Sequence, residues 1–97
     1  MIRFIEVVEE QRDHRTAPTF TLAEVWINEN YVVSVREARE YKSLLKEGLL
    51  PSDLDRDHSF TTVVTNNGQV TEAHVVVGSP TTVATRFQGD TRTLLKG

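Results

Sequence analysis

The 97-residue chain carries 11 Lys and Arg against 14 Asp and Glu, a net charge of -3, and no cysteine. A chain of that length makes one domain, 1–97, with a modest core. The missing thiols exclude disulfides, zinc-thiolate sites and cysteine nucleophiles. The acidic balance argues against duplex DNA or RNA, whose affinity comes from clustered Lys and Arg on phosphates.

The run Ile2-Arg3-Phe4-Ile5-Glu6-Val7-Val8 is β-branched and aromatic, which predicts a strand that is at least half buried. Residues 9–18 are charged, end in Pro18 and show no period, as a loop between strands does. Residues 19–35 hold two strand-like runs broken at Asn28-Glu29-Asn30, predicting strands over 19–27 and 31–36. Over 36–48 the period changes. Ala38, Tyr41, Leu44 and Leu45 recur at helical spacing and Gly48 supplies a stop, so a helix is predicted with its apolar stripe on the sheet. Residues 49–59 read as a polar connection, and 60–77 as a hairpin whose turn takes its positive φ angles from Asn67-Gly68.

Beyond Val77, Ser79 suits an N-cap, Pro80 the first helical position and Gly89 the residue past the end, predicting a short helix over 80–88. Its threonines and other β-branched residues keep one alternative open, a further strand over 81–87. The expected architecture is α+β: a small, mostly antiparallel, partly closed β-barrel of about five strands, with one inserted helix and a short C-terminal helix. A domain this small gains from a subunit interface, so a homo-oligomer is expected. Acidic residues among the first ten positions and the lack of a long apolar run predict no signal peptide, no membrane span and a cytoplasmic location.

Little in the chain spells out chemistry. Asp53, Asp55 and Asp57 alternate like the first ligands of a calcium loop, but His58 stands where the sharp-turn glycine belongs and Val64 where the bidentate glutamate belongs. His14, His58 and His74 are too scattered for a metal site by spacing. No nucleophile elbow, glycine-rich phosphate loop or dinucleotide fingerprint is present, so neither an enzyme nor a cofactor is expected. From Ser59 onward, however, Arg86, Arg92 and Lys96 outnumber Glu72 and Asp90, which suits a small anionic ligand. The amides of a helix start favour negative groups, and Ser79, Thr81 and Thr82 add hydroxyls beside them. Arg86 follows about two turns along, where a guanidinium can pair with phosphate or stack on a purine. Phe60, Tyr31 and Trp26 read as core aromatics, although one of them at a barrel mouth could stack on a base.

The succession Val25-Trp26-Ile27-Asn28-Glu29-Asn30-Tyr31-Val32-Val33-Ser34-Val35, then Phe60 to Gln69, then His74 to Val83 resembles small β-barrel proteins of the flagellar FlbD and swarming-motility SwrD type over about half of the chain. The chain differs from them by inserting residues 36–58 into a tight hairpin. That likeness implies a regulatory or protein-interaction module without a small-molecule ligand. In strand-rich layout and in a late Phe/Asn/Arg set, the chain is also similar to phage Thoeris anti-defence proteins, which sequester cyclic ADP-ribose-type signals without cleaving them. This second likeness implies a non-catalytic phage protein that captures a phosphate-bearing nucleotide. On that expectation Ser79, Thr81, Thr82 and Arg86 hold the phosphate while Asn67 or Phe60 touches the base.

Overall fold

The computed structural model describes residues 1–10, 18–55 and 57–96, with side chains through residue 88. The elements follow in the order β1 (Ile2–Glu10), β2 (Thr19–Ile27), a 3-10 turn (Glu29–Tyr31), β3 (Val32–Glu37), α1 (Arg39–Lys46), β4 (Phe60–Asn66), β5 (Thr71–Val77) and α2 (Pro80–Lys96). β1 extends to Glu10 at one end of the expected 9–18 loop, and residues 11–17 of that loop, with His14, lie outside the described residues.

All strands join one antiparallel sheet in the order β2-β1-β5-β4-β3. β2 and β3 are its edges, so the sheet is open where a barrel would close. It is nevertheless strongly curled. Ile27 pairs with Ile2, four residues short of the Glu6–Val76–Thr61 row, whereas Val32 pairs with Thr65, four residues beyond that row. On a flat sheet the two residues would stand roughly 30 Å apart, counting both strand spacing and rise. Only residues 28–31 join them, and that link reaches at most about 18 Å. The sheet must coil until its edges approach at this corner. A bulge at the start of β3, between Val32 and Ser34, adds local twist there.

Two apolar clusters follow from the alternation of the strands. Phe4, Ile27, Val63, Val76 and Val83 form one, with Val25, Val32, Val35 and Phe87 against it, so that edge strands β2 and β3 and helix α2 share a core. Val7, Ala38, Leu45, Leu50 and Phe60 form the other, under α1. Ala38, Tyr41, Leu44 and Leu45 all belong to this second cluster, as their spacing predicts. The helix starts later than expected, at Arg39, because Arg36 and Glu37 still pair with β4. It ends in a Schellman motif: Gly48 (φ 76) donates to Leu45 and Leu49 donates to Leu44. The 49–59 connection is less polar in function than in composition, since Leu50 is buried and Leu54 packs on the same cluster.

The strand-to-helix corner depends on Gly78, whose φ of 132° disfavours any side chain. Its amide donates to the Ser59 carbonyl (2.8 Å) and its carbonyl accepts from the buried Thr61 hydroxyl (2.8 Å). Ser79 then caps α2: its Oγ accepts from the Thr82 amide at 3.2 Å, and its carbonyl accepts from Val83 at 2.9 Å. Pro80 stands at the first helical position. The segment is therefore helix rather than a sixth strand. It also runs past Gly89 to Lys96, because a glycine weakens a helix but does not end one unless the chain turns there.

Candidate functional site

The side chains expected to hold a nucleotide are divided among three environments. Ser79, Thr81 and Thr82 do start a helix and are solvent-facing or nearly so, but the Ser79 and Thr82 hydroxyls bond to each other across its first turn. Ser79 Oγ lies 3.0 Å from Thr82 Oγ1, and the Thr81 carbonyl accepts from Thr85 (2.8 Å). Arg86 is exposed, and its guanidinium carbon sits 4.4 Å from the centroid of the Phe4 ring, itself packed 5.1 Å from Phe87. The aromatic ring that Arg86 stacks on is thus the protein's own. Phe60 is 1% exposed, in the same buried cluster as Val7 and with its ring centroid 6.2 Å from that of Tyr41, so it offers nothing to a ligand.

Asn67 lies at the other end of the hairpin. The Phe60–Val77 and Asn66–Thr71 pairs bound β4 and β5, and that span separates Asn67 from Ser79 by about 20 Å. The turn also differs from the expected one. Only Gly68 takes a positive φ (96°), while Asn67 uses its side-chain oxygen to accept from Gln69 and Val70 (both 3.0 Å). Asn66 does likewise for Gly68 (2.7 Å). Asn67 shapes the turn through its side chain instead of through the left-handed backbone region.

A different set of residues comes together at the curled corner. A cleft of about 210 Å³ opens between the 3-10 turn and the hairpin tip, lined by Trp26, Tyr31, Val70, Asn67, Glu72 and His74 among others. Trp26 is 58% and Tyr31 46% exposed, contrary to their expected place in the core. Behind the cleft, His74 Nδ1 lies 2.8 Å from Glu6 Oε2 and His74 Nε2 lies 3.3 Å from Glu72 Oε2. A neutral ring can donate to only one of these carboxylates, and a doubly protonated ring to both. Either way the group is net negative. At the rim, the ammonium of Met1 sits 2.9 Å from Glu29 Oε2 and, by that hydrogen bond, holds the Glu29 carboxyl below its usual range. Among the described residues no Lys or Arg side chain lines the cleft.

The sequence hint for Trp26 was Glu24, which shares its face of β2, but the apolar residues on both faces near Ile27 hid it. A second, more apolar groove, bounded by Ile5, Leu22, Leu54, His58 and Val77, has its polar groups already engaged. Glu24 pairs with Arg3 (3.0 Å), and His58 Nδ1 accepts from the Asp55 amide (3.0 Å). Among the described residues no cluster of His, Asp and Glu could hold a metal ion, and no helix is long and apolar enough to cross a membrane. No protein family, curated protein or solved structure matches the chain.

Proposed function

We propose that the protein is a non-catalytic binding protein whose ligand enters the Trp26–Tyr31 cleft. The observation that carries this is the gathering of exposed apolar surface. Met1, Trp26, Tyr31 and Val70 all line that cleft, and of the other large exposed hydrophobics among the described residues only Val33 and Leu49 lie elsewhere. A small domain that exposes a tryptophan beside a recess forgoes stabilisation that burial would give, which marks a recognition surface. Sequestration, with no bond made or broken, is the matching activity: His74 is held between two carboxylates and, among the described residues, no Ser, Cys or Lys lines the cleft beside it.

A nucleotide of the cyclic ADP-ribose kind is one occupant to test, since a base can stack on Trp26 or Tyr31 beside Asn67. What weighs against its phosphates is the acidic lining, to which neither Arg86 nor the Ser79 cap belongs. The regulatory, ligand-free module of the FlbD type is the competing reading, favoured by the same exposed apolar residues as a protein-docking patch. Self-association belongs to the proposal as well, because among the described residues one side of the nine-residue edge strand β2 is unpaired. Thermal-shift and tryptophan-emission screens against nucleosides, nucleotides and small organic ions test the binding reading. Trp26 is the only tryptophan, so a saturable emission change reports the cleft directly. Arg86→Ala leaves that change intact if the cleft is the site, and abolishes it if the helix start is. Light scattering that finds only monomer at high concentration removes the oligomer.

A further inference from the structure

Resting on the binding reading, we infer that the cleft takes a small organic cation, an alkylated ammonium or guanidinium head group, rather than an anion. Three independent features of the site converge on this. The first is charge. Glu72 reaches the cleft, Glu6 lies behind it through His74, and among the described residues no Lys or Arg side chain is there to oppose them. The Met1 ammonium is already matched by Glu29 at 2.9 Å, and His74 supplies at most one positive charge against two carboxylates. A phosphate entering this field is repelled; a cation is drawn in.

The second feature is the aromatic lining. Trp26 and Tyr31 are the exposed aromatic side chains among the described residues, and both belong to this one cleft. Ring faces attract cations through their quadrupoles, and indole does so best. The third is size. At about 210 Å³ the recess is smaller than the roughly 300–1,000 Å³ typical of sites for drug-sized ligands, so it suits a head group and not a whole nucleotide. The contrast with Arg86 sharpens the point. There the protein satisfies a ring face with its own guanidinium, whereas at the cleft it leaves two aromatic side chains exposed with a carboxylate beside them.

The test compares choline with its neutral carbon isostere, 3,3-dimethylbutan-1-ol, and with AMP, reading Trp26 emission on the intact chain. Choline is expected to bind saturably, about 2- to 30-fold more tightly than the isostere, the range that a cation–π contribution supplies. Added sodium chloride weakens the choline response, and Glu72→Gln, which keeps the shape of an exposed side chain and removes its charge, weakens it several-fold without altering the melting temperature. Equal binding of choline and the isostere overturns the cation while leaving a binding cleft in place. Tighter binding of AMP than of choline overturns it in favour of a nucleotide. No emission change with any of the three up to about 10 mM overturns both the cation and the binding reading.

Discussion

The two ends of the β4–β5 hairpin are built on opposite logic. At the Gly78–Thr82 end the polar contacts serve the fold: Gly78 ties the corner, Ser79 caps α2, and Arg86 lies across Phe4. At the Asn67 end the turn is equally well satisfied, but beside it the molecule exposes Trp26, Tyr31 and Glu72. The hydroxyl-rich helix start looks functional in sequence and does structural work; the corner looks like core in sequence and remains open to solvent. Polar residues near a helix end are thus poor evidence of a site until their hydrogen bonds have been traced.

The strongest way to break the contrast is Phe60→Ala. If Phe60 is core, as its burial in the cluster under α1 implies, the substitution costs about 3–5 kcal/mol in urea unfolding. A loss under about 1 kcal/mol would return Phe60 to the list of exposed, ligand-facing aromatics. Leu45→Ala comes next. It removes the buried anchor of α1 and should cost about 2–4 kcal/mol by the same measurement, whereas a cost below about 0.5 kcal/mol would mean that α1 does not cover the sheet. Ser79→Ala should cost about 1 kcal/mol through loss of the Thr82 amide's acceptor, and it should leave cleft binding untouched. Weaker binding in a folded Ser79→Ala variant would make the helix start a site after all.

How much of this was legible follows from how local each signal is. The Ser79-Pro80 start, the Gly48 stop, the Ala38-Tyr41-Leu44-Leu45 stripe and the Asn67-Gly68 hairpin all depend on interactions within a few residues, and each appears in the structure at or near its expected place. Gly89 did not end α2, since the stop signal needs a left-handed turn as well as a glycine. The cleft was illegible because it depends on how β2 and β3, the two edges, meet after the sheet coils. Beyond Glu24 on the Trp26 face of β2, nothing local to Trp26 or Tyr31 separates a core aromatic from one at that corner. Leu50 and Leu54 were hidden in the same way, inside a stretch whose average composition is polar.

Alkaline pH offers a finer probe of the α1 side. Burial, and then the nearby Glu9 and Glu40 carboxylates, raise the Tyr41 pKa above its ordinary value of 10.0. A raised folded-state pKa gives stability that is fully present below the unfolded value and fades as pH climbs through the folded one. Wild type should therefore lose stability above about pH 10 relative to Tyr41→Phe, which has no phenol to ionise. Parallel melting curves for the two proteins from neutral to strongly alkaline pH check this. Superimposable alkaline limbs would mean that Tyr41 is as hydrated in the folded chain as in the unfolded one.

The smallest expected effect on stability is also the most informative about function. Trp26 is more than half exposed on an edge strand, so Trp26→Ala removes little buried area and should shift stability by no more than about 0.5 kcal/mol. An ordinary core tryptophan would cost about 3–5 kcal/mol when cut to alanine. The two values are far enough apart for one denaturation curve to separate them. Calorimetry then asks the second half of the question, because the variant has lost the fluorophore. If Trp26 walls the ligand site, heats of binding for whichever probe the wild type takes up disappear in a variant that is as stable as wild type. That pairing of an intact fold with an absent ligand is what a recognition residue produces and a structural residue does not. A stable variant that still binds moves the site away from the corner, and an unstable one shows that the curl of the sheet depends on the indole.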